Sequence, residues 1–227
     1  MLNWKKHKII LVQILKDIYD DIEISSYLGF KGGTACYLFY NLPRYSVDLD
    51  FDLLSIDKKE DIYKKIKNVI VKFGKIKDER IKRNTIFFLL SYGEEEHNIK
   101  IEISTRELEA DYEILSYFGI SMKVMAKKDI FAYKLVALTQ RKKIAARDLF
   151  DLHYFFSNNW DINENIIFEQ TKKKLNSYLK EVLKFIDKIP DNSVLQGLGQ
   201  LIDAKQKDWI RRNLKKELIL LINSYRD

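Results

Sequence analysis

Apolar positions recur at helical spacing through the first part of the chain and predict a helix over 3–23. Tyr27-Leu28-Gly29-Phe30 then reads as a short strand ending at Lys31-Gly32-Gly33. Thr34 follows as a candidate N-cap for a short helix through Tyr40. Residues 41–46, with Pro43 among them, read as a loop. From 47 to 54 apolar and acidic residues alternate with the period of two that a half-buried strand requires. A helix is expected over 58–73, an aromatic and aliphatic strand over 85–92, a turn over 93–98, and a second alternating strand over 99–104. Beyond Lys127 the pattern turns wholly helical, with segments expected at 129–140, 147–156, 166–188, 194–204 and 207–224. This order predicts an α+β fold: a mixed-sheet core over 1–125, then a helical C-terminal domain over 126–227 that completes a ligand cleft.

Composition narrows the class. The chain has 227 residues, of which 46% are hydrophobic and 13% aromatic, so it can bury a core and is not wholly disordered. Two prolines and eight glycines leave little room for long flexible linkers. A single cysteine, Cys36, excludes an internal disulfide and a multi-thiolate zinc site, as suits a reducing cytoplasm. Lys5, Lys6 and Lys8 precede the apolar run from Ile9 to Leu15, but Gln13 interrupts it, Lys16 and Asp17 follow, and no cleavage site is visible. An amphipathic helix of a cytoplasmic protein without a membrane span is therefore expected. The net charge of +7 suits a polyanionic partner and, equally, ordinary solubility.

The chemistry concentrates in three short segments. In Val47-Asp48-Leu49-Asp50-Phe51, alternation sends Asp48 and Asp50 to one face and the apolar residues to the other. Paired carboxylates repel unless cations neutralise them, and hard ions such as Mg²⁺ suit oxygen ligands. Asp50 and Asp52 satisfy the same pattern one step later, and a merely wet strand face satisfies it too. Gly32-Gly33-Thr34 gives a backbone able to approach phosphate closely at a helix start, although no P-loop Gly-Lys-Ser/Thr follows. In Ile99-Lys100-Ile101-Glu102-Ile103-Ser104 the isoleucines face the core, and Glu102 shares the polar face. Together these make a nucleotidyltransferase layout. Asp48, Asp50 and Glu102 would hold two Mg²⁺ ions (or Mn²⁺), one activating a hydroxyl and one holding an NTP. Ser46 caps its loop or touches phosphate.

Gly32-Gly33-Thr34-Ala35, then Arg44-Tyr45-Ser46-Val47-Asp48-Leu49-Asp50-Phe51, then Arg147-Asp148-Leu149-Phe150-Asp151-Leu152 resemble the AbiEii/AbiGii toxin family, within the DNA-polymerase-β-like nucleotidyltransferases. The resemblance runs from about Lys31 to Tyr154. It implies transfer of NMP from an NTP to a hydroxyl acceptor, with a tRNA 3′ end first among acceptors. It also implies a growth-inhibiting toxin of a toxin–antitoxin or abortive-infection system, with an antitoxin encoded alongside. By the same resemblance Lys134 contacts the nucleotide and Asp148 is catalytic, supporting the site or the attacking group; Arg141, seven residues on and so on the same helix face, is a further candidate nucleotide contact. The competing reading makes Lys134, Arg141, Arg147, Asp148 and Asp151 a structural ion-pair network. Two other functions share the pattern: a non-catalytic nucleotide- or RNA-binding protein on the same fold, and a protein-modifying, AMPylation-like transferase. His7, His97 and His153 lack metal-ligand spacing. Lys172-Lys173-Lys174 with Lys180, Lys184 and Lys188 forms a basic stretch, either a solvated face or an RNA track.

Overall fold

The computed structural model describes residues 3–93, 98–141 and 145–226. It resolves into two compact units, one of residues 1–41 and 45–125, the other of 42–44 and 126–227. The first unit carries a seven-stranded mixed sheet and the second is helical, so the α+β expectation is borne out.

In the sheet unit, α1 (Trp4–Asp20) and the single turn α2 (Ile22–Ser25) lead into β1 (Leu28–Lys31), which runs directly into α3 (Gly32–Phe39). β2 (Leu49–Leu53), α4 (Lys59–Ile70), β3 (Lys75–Lys82), β4 (Thr85–Ser91), β5 (Ile99–Ser104), β6 (Tyr112–Tyr117) and β7 (Ile120–Met125) complete it. The strand order is β3-β4-β5-β2-β1-β7-β6, with β2 parallel to β5 and antiparallel to β1. Alternation decides which residues meet the core. Leu28, Phe30, Leu49, Phe51, Ile101 and Ile103 are all buried. Ile14, Ile18, Ile62 and Ile66 from α1 and α4 are buried with them, and Tyr63 stacks on Phe88 at 5.2 Å.

Three strands were not legible. β3 reads Lys-Ile-Lys-Asp-Glu-Arg-Ile-Lys and is an edge strand, where charge protects the open ladder and hides the alternation. β6 and β7 form a hairpin in which Tyr117 pairs with Ile120. Its two loop residues, Phe118 and Gly119, both take positive φ, as a type I′ turn demands, and Phe in the first position masks the signal. Thr34 is not an N-cap: α3 begins at Gly32, and Lys31 occupies the cap position. The turn expected over 93–98 lies mostly outside the described residues.

In the helical unit the elements are α5 (Lys127–Gln140), α6 (Ala146–Ser157), α7 (Glu164–Thr171), α8 (Leu175–Asp187), α9 (Ala204–Trp209) and α10 (Lys215–Arg226). The helix expected over 166–188 breaks at Lys172, which takes a left-handed conformation and ends α7. The helix expected over 194–204 is a run of turns containing Gly197 at φ +73°. Asp203 then starts α9 with a capping box, exchanging hydrogen bonds with Gln206. No helix among the described residues is long and apolar enough to cross a membrane.

A buried ion network sits in this unit. Arg44 grips Asp151 with both arms, Nε to Oδ1 at 2.5 Å and Nη2 to Oδ2 at 2.7 Å. Lys134 Nζ lies 2.8 Å from Asp151 Oδ2 and 2.9 Å from Asp148 Oδ1. Arg141 Nη1 is 2.7 Å from Asp148 Oδ2, an ion pair whose angle falls short of a hydrogen bond. Burial pushes the Asp151 carboxyl up, but Arg44 and then Lys134 outweigh it and hold it below the usual carboxylate value. Burial likewise lowers Lys134, and Asp151 and Asp148 outweigh it and hold the ammonium above its usual value.

The consequence for stability has a definite sign. Asp151 contributes stability at pH above its ordinary 3.8, lost as pH falls through its lowered folded value. Lys134 contributes below its ordinary 10.5, lost as pH rises through its raised folded value. Asp151→Asn leaves Arg44 and Lys134 short of a counter-charge, so urea denaturation at pH 7 is expected to show a loss of roughly 3–5 kcal/mol. The difference between variant and wild type should shrink toward acid; a difference that grows on acidification would contradict the assignment.

Candidate active site

The polar face of the sheet is assembled by strand register. β2 and β5 run parallel with Asp50 opposite Glu102 and Asp52 opposite Ser104. Directly paired residues point to the same face, so Asp50 and Glu102 stand side by side, both partly exposed. On the other flank β1 places Lys31 opposite Asp50, and the chain then turns at Gly32 with φ +79°. A Cβ on Gly32 would collide with the Asp50 carboxylate and lie 2.9 Å from the Asp50 Cβ. Glycine is therefore required twice here, for the left-handed φ and for the close approach of Asp50. Gly33 follows in the first turn of α3, where backbone N–H groups lack helical partners.

The three aspartates differ in their surroundings. Asp52 is buried, and its carboxylate takes Lys31 Nζ at 2.5 Å on Oδ1 and the Tyr112 hydroxyl at 2.8 Å on Oδ2. Tyr112 can lie over the sheet because Gly29 beneath it has no side chain: a Cβ there would overlap the ring. Asp48 precedes β2 instead of lying within it. Lys100 holds it, donating from Nζ to Oδ2 at 3.0 Å and from its backbone N–H to Oδ1 at 3.3 Å. Thr34 is buried and donates its hydroxyl to the Asp48 carbonyl, which occupies that hydrogen.

The loop before β2 is pinned from α1. Trp4 stacks on Tyr45 with ring centroids 4.3 Å apart. His7 is buried, with Nε2 3.1 Å from the Val47 carbonyl and Nδ1 2.6 Å from the Tyr92 hydroxyl. A carbonyl only accepts, so Nε2 carries the proton, and in the neutral ring Nδ1 accepts from Tyr92. Sequence reasoning set His7 aside for lack of ligand spacing. Its task is to fix the segment that delivers Asp48, and no local pattern announces that. Ser46 sits half-buried in the same loop.

In the helical unit Lys134 is enclosed between Asp148 and Asp151 with 13% of its side chain exposed, whereas Arg141 remains 40% exposed. The network draws in Arg44, which the sequence placed only as a neighbour of the double-Asp motif; a partner 107 residues distant leaves no local trace. The lysines at 172 and 173 are paired with Glu169 at 2.8 Å and Glu181 at 2.6 Å.

Carboxylate oxygens on one sheet face suit a hard divalent cation in kind. Among the described residues, however, no group of three or more His, Cys, Asp or Glu side chains is gathered closely enough to hold one. Asp50 and Glu102 are adjacent in the strand register, and Asp48 is paired with Lys100.

A mixed sheet bearing paired acids beside a Gly-Gly turn, with helices following, is the architecture of a nucleotidyltransferase, and comparison with known proteins agrees. The chain resembles a crystal structure from H. pylori described as a presumed nucleotidyltransferase, with TM-score 0.65 and 25% identity over 98% of this chain and 94% of that one. It shares the fold of JHP933 from Helicobacter pylori, with TM-score 0.67 and 24% identity over 100% of this chain and 94% of the other. No curated protein matches it. The model of the family "Nucleotidyl transferase AbiEii toxin, Type IV TA system" matches residues 13–217, and the chain belongs to that family. Membership makes it a nucleotidyl transferase with an NTP substrate and an antitoxin partner.

The Gly32 position gives a direct check. Gly32→Ala forces a side chain into the space of Asp50 at a φ that costs L-residues about 1 kcal/mol or more. Thermal melting is expected to fall by a few degrees, with nucleotidyl transfer falling at least tenfold, because Asp50 itself must move. A variant with unchanged activity would show that the Asp50 position is not critical.

Proposed function

We propose that this chain transfers a nucleoside monophosphate from an NTP to a hydroxyl at the 3′ end of tRNA, and that this transfer is the toxic act. The observation that supports it most is the pairing of Asp50 with Glu102 beside Gly32. The acceptor hydroxyl oxygen would attack the α-phosphorus of the NTP, the bond from that phosphorus to the bridging oxygen would break, and pyrophosphate would leave. Asp48, Asp50 and Glu102 are the residues that would hold Mg²⁺ or Mn²⁺. When bound, the ions would supply charge neutralisation for the triphosphate and lower the pKa of the attacking hydroxyl.

The protein's own groups have distinct tasks in this reading. Asp50 and Glu102 present carboxylate oxygens at adjacent positions on a rigid sheet, so little ordering is left for the moment of reaction. The backbone N–H groups at Gly32 and Gly33 receive phosphate oxygens, aided by the start of α3. Thr34 acts at one remove, holding the Asp48 carbonyl, and Asp52 keeps Lys31 and Tyr112 in place. Ser46 touches phosphate from the loop. Arg141, with its exposed guanidinium, is the nucleotide contact of the helical unit. Lys134 orders Asp148 and Asp151 and reaches a nucleotide only by releasing one of them. Lys134→Ala is therefore read chiefly through stability.

Asp50→Asn and Glu102→Gln keep the shape of each side chain and remove its charge. Incubation of pure protein with each labelled NTP and total RNA should show transfer by the wild type and a drop of at least a hundredfold in either variant. Melting temperatures should stay within a few degrees, since two neighbouring like charges are no longer opposed. Expression of the wild type should arrest bacterial growth and Asp50→Asn should not. Equal arrest by both would defeat the reading.

Lys100→Ala removes the competitor for Asp48. Manganese binding followed by electron paramagnetic resonance is expected to tighten by up to about fivefold, since a partly exposed ion pair is worth about 0–1 kcal/mol. Weaker manganese binding in this variant would show that Asp48 does not join the set.

A further inference from the structure

The helical unit holds a cavity of about 400 Å³ that the carboxylate chemistry does not use. Its walls come from Phe150, His153 and Tyr154 on α6, from Trp209 at the end of α9, and from Pro43. Lys205 and Gln206 reach it from the start of α9. These walls are predominantly aromatic and planar. The His153 and Trp209 rings meet edge to face at 4.9 Å, and His153 Nε2 lies 3.2 Å from a Glu217 carboxylate oxygen. Burial, only partly opposed by Glu217, holds the His153 imidazole below its usual range. Gln206 is fixed, its Nε2 donating to the Pro43 carbonyl at 2.7 Å and its Oε1 accepting from the Asp203 N–H at 3.0 Å. The lining carries aromatic rings, no carboxylate and one lysine, a chemistry that favours a flat ring joined to an anion.

Lys205 of the cavity lining opens a basic stretch of chain. From Lys205 to Lys216 the sequence has six basic residues, Lys205, Lys207, Arg211, Arg212, Lys215 and Lys216, against one acid, Asp208. Lys205, Arg211, Arg212 and Lys216 are exposed. Lys215 is spent on the carbonyls of Asp187 and Ile189. Immediately after Trp209 the helix winds one π turn, Ile210–Leu214, before α10 resumes. Such turns give up regular hydrogen bonding and concentrate at functional sites. The turn resets the helix phase between Trp209 and the basic residues that follow.

We propose that this cavity receives one unpaired nucleobase of a single-stranded RNA, with the basic run from Lys205 to Lys216 holding the adjoining phosphates. Base stacking on aromatic rings beside a cationic track is the general means of gripping single strands without reading their sequence. Arg211 is paired with Asp208 at 3.2 Å, which leaves Lys205, Arg212 and Lys216 as exposed cations; a free nucleotide would use one or two of them, and three suit a chain of phosphates. The inference deepens the reading of RNA as acceptor, which it takes as given, and locates where the acceptor strand is held.

The test uses the full chain without NTP or added metal, so that it is independent of transfer. The probe is a short single-stranded RNA with 2-aminopurine as its 3′-terminal base, whose fluorescence falls when it stacks. Wild type should quench the probe, and an otherwise identical RNA with an abasic 3′ end should bind about tenfold more weakly, as loss of one base–aromatic stack implies. Trp209→Leu should abolish quenching and weaken the base-bearing probe to the level of the abasic one. Lys205→Ala should keep the quench and lower the slope of log affinity against log salt by about one. Equal binding of the two RNAs by wild type overturns the proposal, whatever the variants do. Competition by free ATP or CTP at the affinity of the RNA would make the cavity a mononucleotide site instead. Loss of antitoxin binding in Trp209→Leu with RNA binding unchanged would make it a protein contact. Transfer to RNA without quenching would overturn this inference and leave the transferase reading standing; quenching without any transfer would do the reverse.

Discussion

The register between β2 and β5 is the constraint on which the rest of the sheet unit depends. Because the two strands run parallel with Asp50 against Glu102, two acids separated by 52 residues of chain become neighbours on one face. The same register puts Leu49 beside Ile101 and Phe51 beside Ile103 on the other face, fully buried. A slip by one residue would send the acids into the core and the isoleucines into water, so hydrophobic burial itself enforces the chemistry. Each of those four buried side chains is worth roughly 1.5–3 kcal/mol relative to exposure, far more than the repulsion between two partly exposed carboxylates.

The two units arrange their charges in different ways. In the sheet unit each flanking acid is given a lysine: Lys31 for Asp52 and Lys100 for Asp48. Asp52 is buried, with a tyrosine as second partner, and its interaction is structural. Asp48 is more exposed, and so is its lysine. In the helical unit Arg44 and Lys134 neutralise Asp151, and Lys134 shares Asp148 with Arg141, all but Arg141 largely removed from water. Burying so many charges is not a way to gain stability over an apolar core; its physical value lies in fixing one arrangement.

Much of this was legible in the chain. The period-two segments at 47–54 and 99–104 located the acids, and paired glycines marked the turn beside them. Their joint meaning emerged only from order along the chain, since each alone describes any half-exposed strand. What stayed hidden depends on distance or on missing contrast. Arg44 finds Asp151 across 107 residues, and His7 finds Val47 across 40, with no local periodicity to announce either. The edge strand β3 is charged on both faces and so lacks alternation. Trp209, His153 and Tyr154 look in sequence like ordinary core aromatics, and only the fold shows that they line a cavity.

In the proposed reaction Asp50 and Glu102 are the paired carboxylates about which transfer is organised. A crystal structure of the full chain grown with Mn²⁺ and a non-hydrolysable NTP analogue tests it most directly, through the anomalous scattering of manganese. The expected result is an anomalous peak at the Asp50 and Glu102 carboxylates, with Asp48 turned from Lys100 toward it and triphosphate oxygens at the Gly32 and Gly33 amides. A peak held by other acids, with Asp50 and Glu102 left in water, would contradict it.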